Sequence, residues 1–314
     1  MRTATRLGLY AASLAVAFGA AFTVTGATIP KTVAQDRVAA MGQGQDHMAA
    51  MGQAQGGNEG PTRGVTLAAE GYQLGPVSAP AEVGAAGTLS FTIGDADGQP
   101  LLEYVTSHEK DLHLIVVRTD GSEFRHVHPE RGPDGSWSIP WTWKAAGTYR
   151  IFTDFVPGGS SNPLTLTRTV EVAGTVAPAA SPAETRTANV DGFEVTIAGD
   201  IQGGASSELT LSVSKDGAPV TTLQPYLGAF GHLVALREGD LAYLHVHPEG
   251  AEPQSGQLSG PTVRFAAEAP TSGRYLLYFD FQIDGAVHSA AFVLPADGAP
   301  GTQPAQTPGE SHGH

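Results

Sequence analysis

The chain contains no cysteine among its 314 residues. This absence excludes disulfide bonds, thiolate metal ligands and a cysteine nucleophile. It also excludes a blue-copper electron-transfer site, because such a site requires a cysteine thiolate. Any metal chemistry in this protein must therefore use imidazole, carboxylate or thioether ligands.

Positive charge is scarce as well. The 17 Lys and Arg residues are outnumbered by 31 Asp and Glu residues, which gives a formal net charge of −14. A negatively charged surface repels the phosphate backbone of nucleic acids, so we expect no nucleic-acid partner. Charged residues make up only 15% of the chain, whereas it contains 40 Gly and 22 Pro residues. This composition favours sheets joined by turns over helices with many salt bridges.

The N-terminal residues 1–29 carry a long uncharged run. No residue from Leu7 to Ile29 is charged, and Arg2 and Arg6 precede the run. One hydrophobic helix of this length would span a bilayer, and the positive charge before it predicts that the rest of the chain lies outside the cytoplasm. An uncleaved anchor is favoured over a cleaved signal peptide, because the small-residue cleavage motifs are poor. We expect extracytoplasmic domains anchored to the cell membrane, or a secreted protein if the signal is cleaved.

Residues 30–63 and 295–314 lack apolar periodicity, which indicates a disordered spacer and a disordered tail. The spacer contains four side chains that could bind a metal, namely Met41, His47, Met48 and Met51. Thioethers suit Cu(I), so these four residues are candidate accessory ligands. The alternative is a plain spacer with no ligand role.

The rest of the chain contains an internal repeat. Its two copies occupy residues 64–172 and 189–294, and a Pro- and Ala-rich linker occupies residues 173–188. A His-Leu pair and the sequence His-Val-His-Pro-Glu recur at a constant offset of 119 positions. Later matches, including Asp154 with Asp280, have an offset of 126, which implies a seven-residue insertion in the second copy. The two copies are therefore expected to share one fold.

Short runs of β-branched and aromatic residues, separated by Asp-Gly turns, predict strands in each copy. Strands at this spacing indicate an all-β protein with two tandem immunoglobulin-like or cupredoxin-like β-sandwiches. A Gly-x-Tyr sequence before Tyr149 and Tyr275 resembles the tyrosine corner of such domains. In the first copy, the predicted strands are residues 88–93, 112–118, 136–143, 148–155 and 164–172.

Three histidines of the first copy are predicted to share one face of a β-hairpin. Two apolar strands flank Asp120-Gly121, which is a two-residue hairpin signal. In that register the numbers of paired residues add to 241, so His113 faces His128. Because side chains alternate along a strand, His126 lies on the same face, and the three imidazoles are close enough to bind one ion.

The second copy predicts the same arrangement around a Gly239-Asp240 turn. There the numbers of paired residues add to 479, so His232 faces His247, and His245 shares their face. A second triad of metal ligands is therefore expected. His288 is a further candidate ligand. The accessory candidates are His108, Asp154 and Asp280.

Imidazole is a ligand for copper, zinc and nickel. At sites of histidine alone the Irving–Williams order favours Cu(II), and the methionines of the spacer would suit Cu(I). Copper is therefore the expected metal and zinc is the alternative. We expect a non-enzymatic protein of metal homeostasis that binds one ion in each copy.

Two other functions compete with metal binding. The histidines could be structural, each bonded to a nearby carbonyl in a non-catalytic interaction module. An enzyme of cupin type is disfavoured, because the cupin pattern places Glu three or four residues after His-x-His, whereas Glu130 and Glu249 follow by two. The chain also has no Ser-His-Asp motif, phosphate-binding loop or HExxH helix.

Several segments resemble a family of bacterial extracytoplasmic proteins. They are residues 108–113 and 126–129 in the first copy and residues 225–232, 244–248 and 281–288 in the second. Members of that family are usually membrane-anchored or secreted and are often described as heavy-metal-associated. The likeness covers about residues 64–294. It implies a location outside the cytoplasm, but the family has no settled activity to transfer to this chain, and the protein partner is unknown.

Overall fold

A computed structural model of the chain describes residues 64–254 and 256–298. Within these ranges the protein is all-β: twenty strands form four sheets, and no helix occurs. No helix in this part of the chain could therefore cross a membrane. The helix predicted in residues 1–29 and the candidate ligands Met41, His47, Met48 and Met51 lie outside the described residues.

The first repeat is a sandwich of two antiparallel sheets. One sheet has the strand order β1-β2-β3-β8-β7, and the other has the order β10-β9-β5-β6, with β4 paired to β9. The apolar residues between the sheets form one buried core. The strands are β1 (Ala68–Ala69), β2 (Tyr72–Leu74), β3 (Gly87–Gly94), β4 (Tyr104–Val105), β5 (Leu112–Arg118), β6 (Arg125–Val127), β7 (Glu130–Arg131), β8 (Ser136–Trp141), β9 (Gly147–Pro157) and β10 (Leu164–Val172).

The second repeat has a closely related sandwich with its own core. One sheet has the order β11-β12-β14-β18-β17, with β15 paired to β14, and the other has the order β13-β20-β19-β16. Its last strand extends past residue 294. The strands are β11 (Thr187–Val190), β12 (Phe193–Ala198), β13 (Ile201–Gly203), β14 (Ala205–Lys215), β15 (Ala218–Pro219), β16 (His232–Arg237), β17 (His245–Pro248), β18 (Thr262–Ala269), β19 (Gly273–Ile283) and β20 (Ala286–Gly298).

The strand and corner predictions are confirmed. The predicted strands at residues 112–118 and 164–172 coincide with β5 and β10. The hydroxyl groups of Tyr149 and Tyr275 each donate to the carbonyl oxygen four residues upstream, at 2.8 Å in both repeats. Both tyrosine corners are therefore present, and each holds the start of a long strand against its core.

Strand β5 is buried on both faces. The side chains of Leu112, Leu114 and Val116 enter the core of the first sandwich, whereas those of Ile115 and Val117 face the second repeat. A third apolar cluster thus joins the two sandwiches, and it places the β5 face that carries His113 at the boundary between the repeats. Its buried members are Ile115, Val117, Phe152, Val234, Leu236, Leu241, Leu276, Tyr278 and Val293.

The two repeats pack together with approximate two-fold symmetry. The ring of Phe124 stacks on Tyr278 with centroids 3.9 Å apart, and the equivalent pair, Tyr243 and Phe152, has centroids 6.0 Å apart. Each pair joins a turn residue of one repeat to a strand residue of the other. Reciprocal contacts of this kind are typical of an isologous interface, here formed within a single chain.

Candidate metal centre

The hairpin that carries the first histidine triad forms in the predicted register. Ile115 pairs with His126, so the numbers of paired residues add to 241. Arg118 fixes the turn by donating to both oxygens of Asp120, at 2.9 and 2.6 Å. The same carboxylate accepts from the backbone and hydroxyl of Ser122, which closes the turn from the other strand. The turn chemistry therefore sets which face the histidines occupy.

The side chains of His113, His126 and His128 converge at one end of this hairpin. His113 Nδ1 lies 3.1 Å from His126 Nε2 and 3.1 Å from His128 Nε2. One ring nitrogen from each residue lies within 4.8 Å of the others, and this group could hold a metal ion. An ion with metal–nitrogen bonds of about 2.0–2.1 Å in tetrahedral geometry sets its ligands about 3.3 Å apart, close to the separations found here.

The remaining ring nitrogens of two triad residues are already bound to acceptors. His113 Nε2 donates to the carbonyl oxygen of Ser107 at 3.1 Å. His126 Nδ1 donates to Asp280 Oδ2 at 3.0 Å. A carbonyl and a carboxylate can only accept, so these bonds fix the tautomer of each neutral ring. The lone pairs of His113 Nδ1 and His126 Nε2 are consequently directed at the same point, where a cation would relieve their repulsion.

The bond to Asp280 crosses from the first repeat to the second. Both side chains are almost fully buried, with 4% of His126 and 5% of Asp280 exposed. A carboxylate that accepts from the second nitrogen of a histidine is a recurrent feature of metal sites, because it orients the ring and strengthens it as a ligand. The sequence indicated Asp280 only as an accessory ligand, whereas the structure places it behind His126.

Burial keeps two members of the triad, His113 and His128, neutral. Burial, followed by the charges of His126 and His128, lowers the pKa of His113 from its ordinary value of 6.5 to about 2. Burial and the neighbouring imidazoles also lower the pKa of His128 to about 3. Metal ligation requires neutral imidazole, so both residues are in the required form at neutral pH.

His232 of the second repeat lies beside the triad. Its ring centroid is 6.1 Å from that of His126 and 6.4 Å from that of His113. Its Nε2 donates to the carbonyl oxygen of Tyr226 at 2.8 Å, as His113 does to Ser107 in the first repeat. Burial lowers the pKa of His232 to about 4, and the charge of His126 acts in the same direction.

Two equivalent turns supply these carbonyl groups. One turn spans residues 107–110 and the other spans residues 226–229, and in each the first residue provides the acceptor. Their central residues have positive φ, which is typical of a type I′ turn but strained for a residue with a side chain. These residues are His108 (φ 50°), Glu109 (φ 61°), Leu227 (φ 54°) and Gly228 (φ 72°).

His108 projects from the first of these turns toward the cluster. Its ring centroid lies 5.4 Å from that of His232 and 6.2 Å from that of His113. A cavity of about 70 Å³ lies between them and is also lined by Asp154, which is the cross-strand partner of His113 on β9. Asp154 accepts a hydrogen bond from the hydroxyl of Thr165 at 2.8 Å.

The predicted pairing of His232 with His247 is wrong. The predicted register holds only as far as the pairing of Leu236 with Tyr243. Strand β17 then joins the opposite sheet and pairs with β18, whereas β16 pairs with β19. The chain thus crosses from one sheet of the second sandwich to the other between Tyr243 and β17. As a result, the exposed side chain of His247 does not face His232.

Two other predicted ligands, His247 and His288, are not members of the triad. His247 lines an open groove of about 500 Å³ together with His108, Glu249 and Glu252. The backbone of His245 pairs with Glu268 on β18. His288 Nδ1 lies 2.8 Å from the carboxylate of Asp191, and its ring packs on Phe193. The structure therefore gives His288 a local partner and does not bring it to the triad.

Comparison with known proteins defines the family. A family model described as a domain of unknown function, DUF8832, matches residues 67–174 and again residues 188–298. The chain belongs to the DUF8832 family. The two matches correspond to the two sandwiches, so each DUF8832 domain is one β-sandwich of this chain. No curated protein matches the chain.

The similarities between this DUF8832 protein and solved structures are remote. An α-2-macroglobulin of Salmonella is 14% identical with a TM-score of 0.25, over 76% of this chain and 15% of that one. The adhesin InvE of Yersinia pseudotuberculosis is 12% identical with a TM-score of 0.21, over 73% of this chain and 60% of that one. Domains 4 and 5 of the S-layer protein SbsC are 14% identical with a TM-score of 0.21, over 68% and 82%. None of them bears on function.

Proposed function

We propose that the protein binds copper outside the cytoplasm as a non-enzymatic component of metal homeostasis. One observation carries the proposal: His113 Nδ1 and His126 Nε2 lie 3.1 Å apart, while the other ring nitrogen of each residue is bound to the carbonyl oxygen of Ser107 or the carboxylate of Asp280. With both rings neutral, two unprotonated nitrogens therefore face each other. A cation bound between them converts this repulsion into ligation. His128 Nε2 completes a three-nitrogen set.

Copper is favoured by the chemistry of the ligands. The described site offers three imidazole nitrogens and no thiolate, because the chain has no cysteine. Among the divalent ions that imidazole binds, Cu(II) lies at the top of the Irving–Williams order, and zinc is the alternative. The methionines at 41, 48 and 51 add softer ligands in the same chain.

The N-terminal sequence supports the proposed location. The uncharged run from Leu7 to Ile29, preceded by two arginines, supports a membrane anchor that leaves both sandwiches outside the cytoplasm. The resemblance to extracytoplasmic heavy-metal-associated proteins supports the same location. A cleaved signal would instead produce a secreted protein with the same metal site.

A structural role is the second candidate. If His126 is an imidazolium paired with Asp280, its Nε2 proton can be donated to His113 Nδ1 without any metal. That arrangement leaves His128 Nε2, which is also 3.1 Å from His113 Nδ1, competing for the same lone pair. A proton network therefore satisfies the cluster less completely than an ion with three ligands.

Titration of the purified protein with Cu(II) and Zn(II) tests the proposal. The full chain should carry His47→Ala, His312→Ala and His314→Ala, which removes the histidines outside the described residues. We expect this parent protein to bind Cu(II), and His128→Ala to lose the ion bound at the triad. His288→Ala is the matched control and should bind as the parent does. Unchanged binding in His128→Ala would reject the triad as the site.

A further inference from the structure

We infer that the boundary between the repeats holds a second metal position, formed by His232 and His108 beside the small cavity next to the triad. The inference rests on the proposed metal-binding function and extends it from one ion to a pair. The sequence predicted a separate triad in the second repeat. The structure instead places His232 against the first triad, so the metal ligands of both repeats meet at one boundary.

Ring spacing distinguishes the two positions. Two imidazoles bound to one ion, with metal–nitrogen bonds of about 2.0–2.1 Å, have ring centroids roughly 5 Å apart. Within the triad the three centroid distances are 5.3, 4.9 and 4.9 Å. The pair His108 and His232 has a distance of 5.4 Å, whereas His232 lies 6.1 to 6.4 Å from the triad rings. His232 is therefore better placed to share an ion with His108 than with the triad.

His232 has the same proton arrangement as His113. Its Nε2 donates to the carbonyl oxygen of Tyr226, so its neutral ring carries an unprotonated Nδ1. No hydrogen bond to the described residues occupies that nitrogen. His232 and His113 occupy equivalent positions in the two repeats. In the first repeat, it is the Nδ1 atom of His113 that faces the triad. The same ring orientation thus makes His232 Nδ1 available as a ligand.

The surroundings can accommodate a second cation. The cavity of about 70 Å³ is lined by both histidines and by Asp154, and it has room for an ion with one or two waters. Asp154 in the first repeat and Asp280 in the second provide two carboxylates, one beside the cavity and one behind His126. These negative charges offset the repulsion between two ions. His108 also lines the open groove, which gives a route from solvent.

Backbone conformation determines which substitution of His108 is suitable for a test. It occupies the first central position of its turn with φ of 50°, where Leu227 occurs in the equivalent turn. A left-handed conformation is unfavourable for most residues with a side chain, and Asn is among the residues that tolerate it best. His108→Asn therefore removes the imidazole while it preserves the turn.

The experiment counts Cu(II) ions bound to the full chain that lacks His47, His312 and His314. We expect two ions for this parent protein, and an electron paramagnetic resonance signal from dipolar coupling between them. His108→Asn and His232→Ala should each bind one ion and lose the coupling. His288→Ala, whose ring is bonded to Asp191 and packs on Phe193, is the matched control and should retain both.

The outcomes separate this inference from the triad proposal. A single ion in the parent protein that His108→Asn retains, or two ions in His108→Asn, would overturn the second position. His128→Ala should lose the triad ion and keep the other. A single ion in the parent protein that His128→Ala retains and His108→Asn loses would instead show a failure of the triad. Circular dichroism of each variant identifies loss of fold, and His108→Asn remains informative even if the buried His232→Ala does not fold.

Discussion

His126 in the first repeat donates to Asp280 in the second at 3.0 Å, with both side chains almost fully buried. This bond connects two sandwiches through the candidate metal centre. A buried carboxylate without its partner is costly, and a metal ligand without its orienting carboxylate binds less tightly. Domain packing and metal binding should therefore depend on the same pair.

Replacing Asp280 tests this dependence. We expect Asp280→Asn to weaken Cu(II) binding by about 10- to 100-fold, because the amide oxygen still accepts from His126 but no longer provides a negative charge. Competition with a chelator of known affinity measures the change. Asp191→Asn is the control, since Asp191 bonds to His288 at an exposed position. An Asp280→Asn protein with parental affinity would contradict the role given to this carboxylate.

The interface between the repeats should contribute measurably to stability. Tyr278 donates its hydroxyl to the carbonyl oxygen of Gly121 in the other repeat at 2.6 Å. We expect Tyr278→Phe to lower the free energy of unfolding by about 0.5–1.5 kcal/mol, as measured by urea denaturation. Tyr72→Phe is the control, because the Tyr72 hydroxyl makes no hydrogen bond to the described residues. Equal effects of the two substitutions would show that the contact between repeats adds nothing.

The metal-free protein should lose stability as the pH falls below about 6.5. The pKa values of His113, His128 and His232 are lowered to about 2, 3 and 4 by burial, so between these values and 6.5 the unfolded chain binds more protons than the folded one. Stability then rises with pH, at up to about 1.4 kcal/mol per pH unit for each group. The contribution is complete above pH 6.5 and is lost as the pH falls toward the lowered pKa of each group, which is about 4 for His232, 3 for His128 and 2 for His113.

Urea denaturation in the presence of a chelator measures this effect at pH 7.5, 6.5 and 5.5. The slope should be smaller in His113→Gln, which removes one of the three titrating groups. A parental free energy of unfolding that stays constant from pH 7.5 to 5.5 would contradict the neutral, buried state of these histidines.

Local patterns were sufficient to predict the first triad. The Asp120-Gly121 turn fixed the hairpin register, and alternation along the strands then placed His113 and His126 on one face. The same pattern failed for His247, because the sheet that a segment joins after a turn depends on competing strands. Nothing near His247 in the sequence indicates that β17 pairs with β18.

The contact between repeats was not predicted, although the sequence carries one sign of it. Strand β5 has apolar residues at Ile115 and Val117 as well as at Leu114 and Val116, so neither of its faces is polar. A strand of this kind is covered on both sides. The pattern does not show what covers the second face, so the contacts of His126 with Asp280 and of His113 with His232 required the three-dimensional arrangement.

The most direct test of the metal site is anomalous X-ray scattering at the copper edge from crystals of the copper-loaded full chain. We predict a peak bonded to His113 Nδ1, His126 Nε2 and His128 Nε2, with Asp280 still hydrogen-bonded to His126. Copper found only at other histidines, with the three triad rings bonded to one another and no peak between them, would contradict the account.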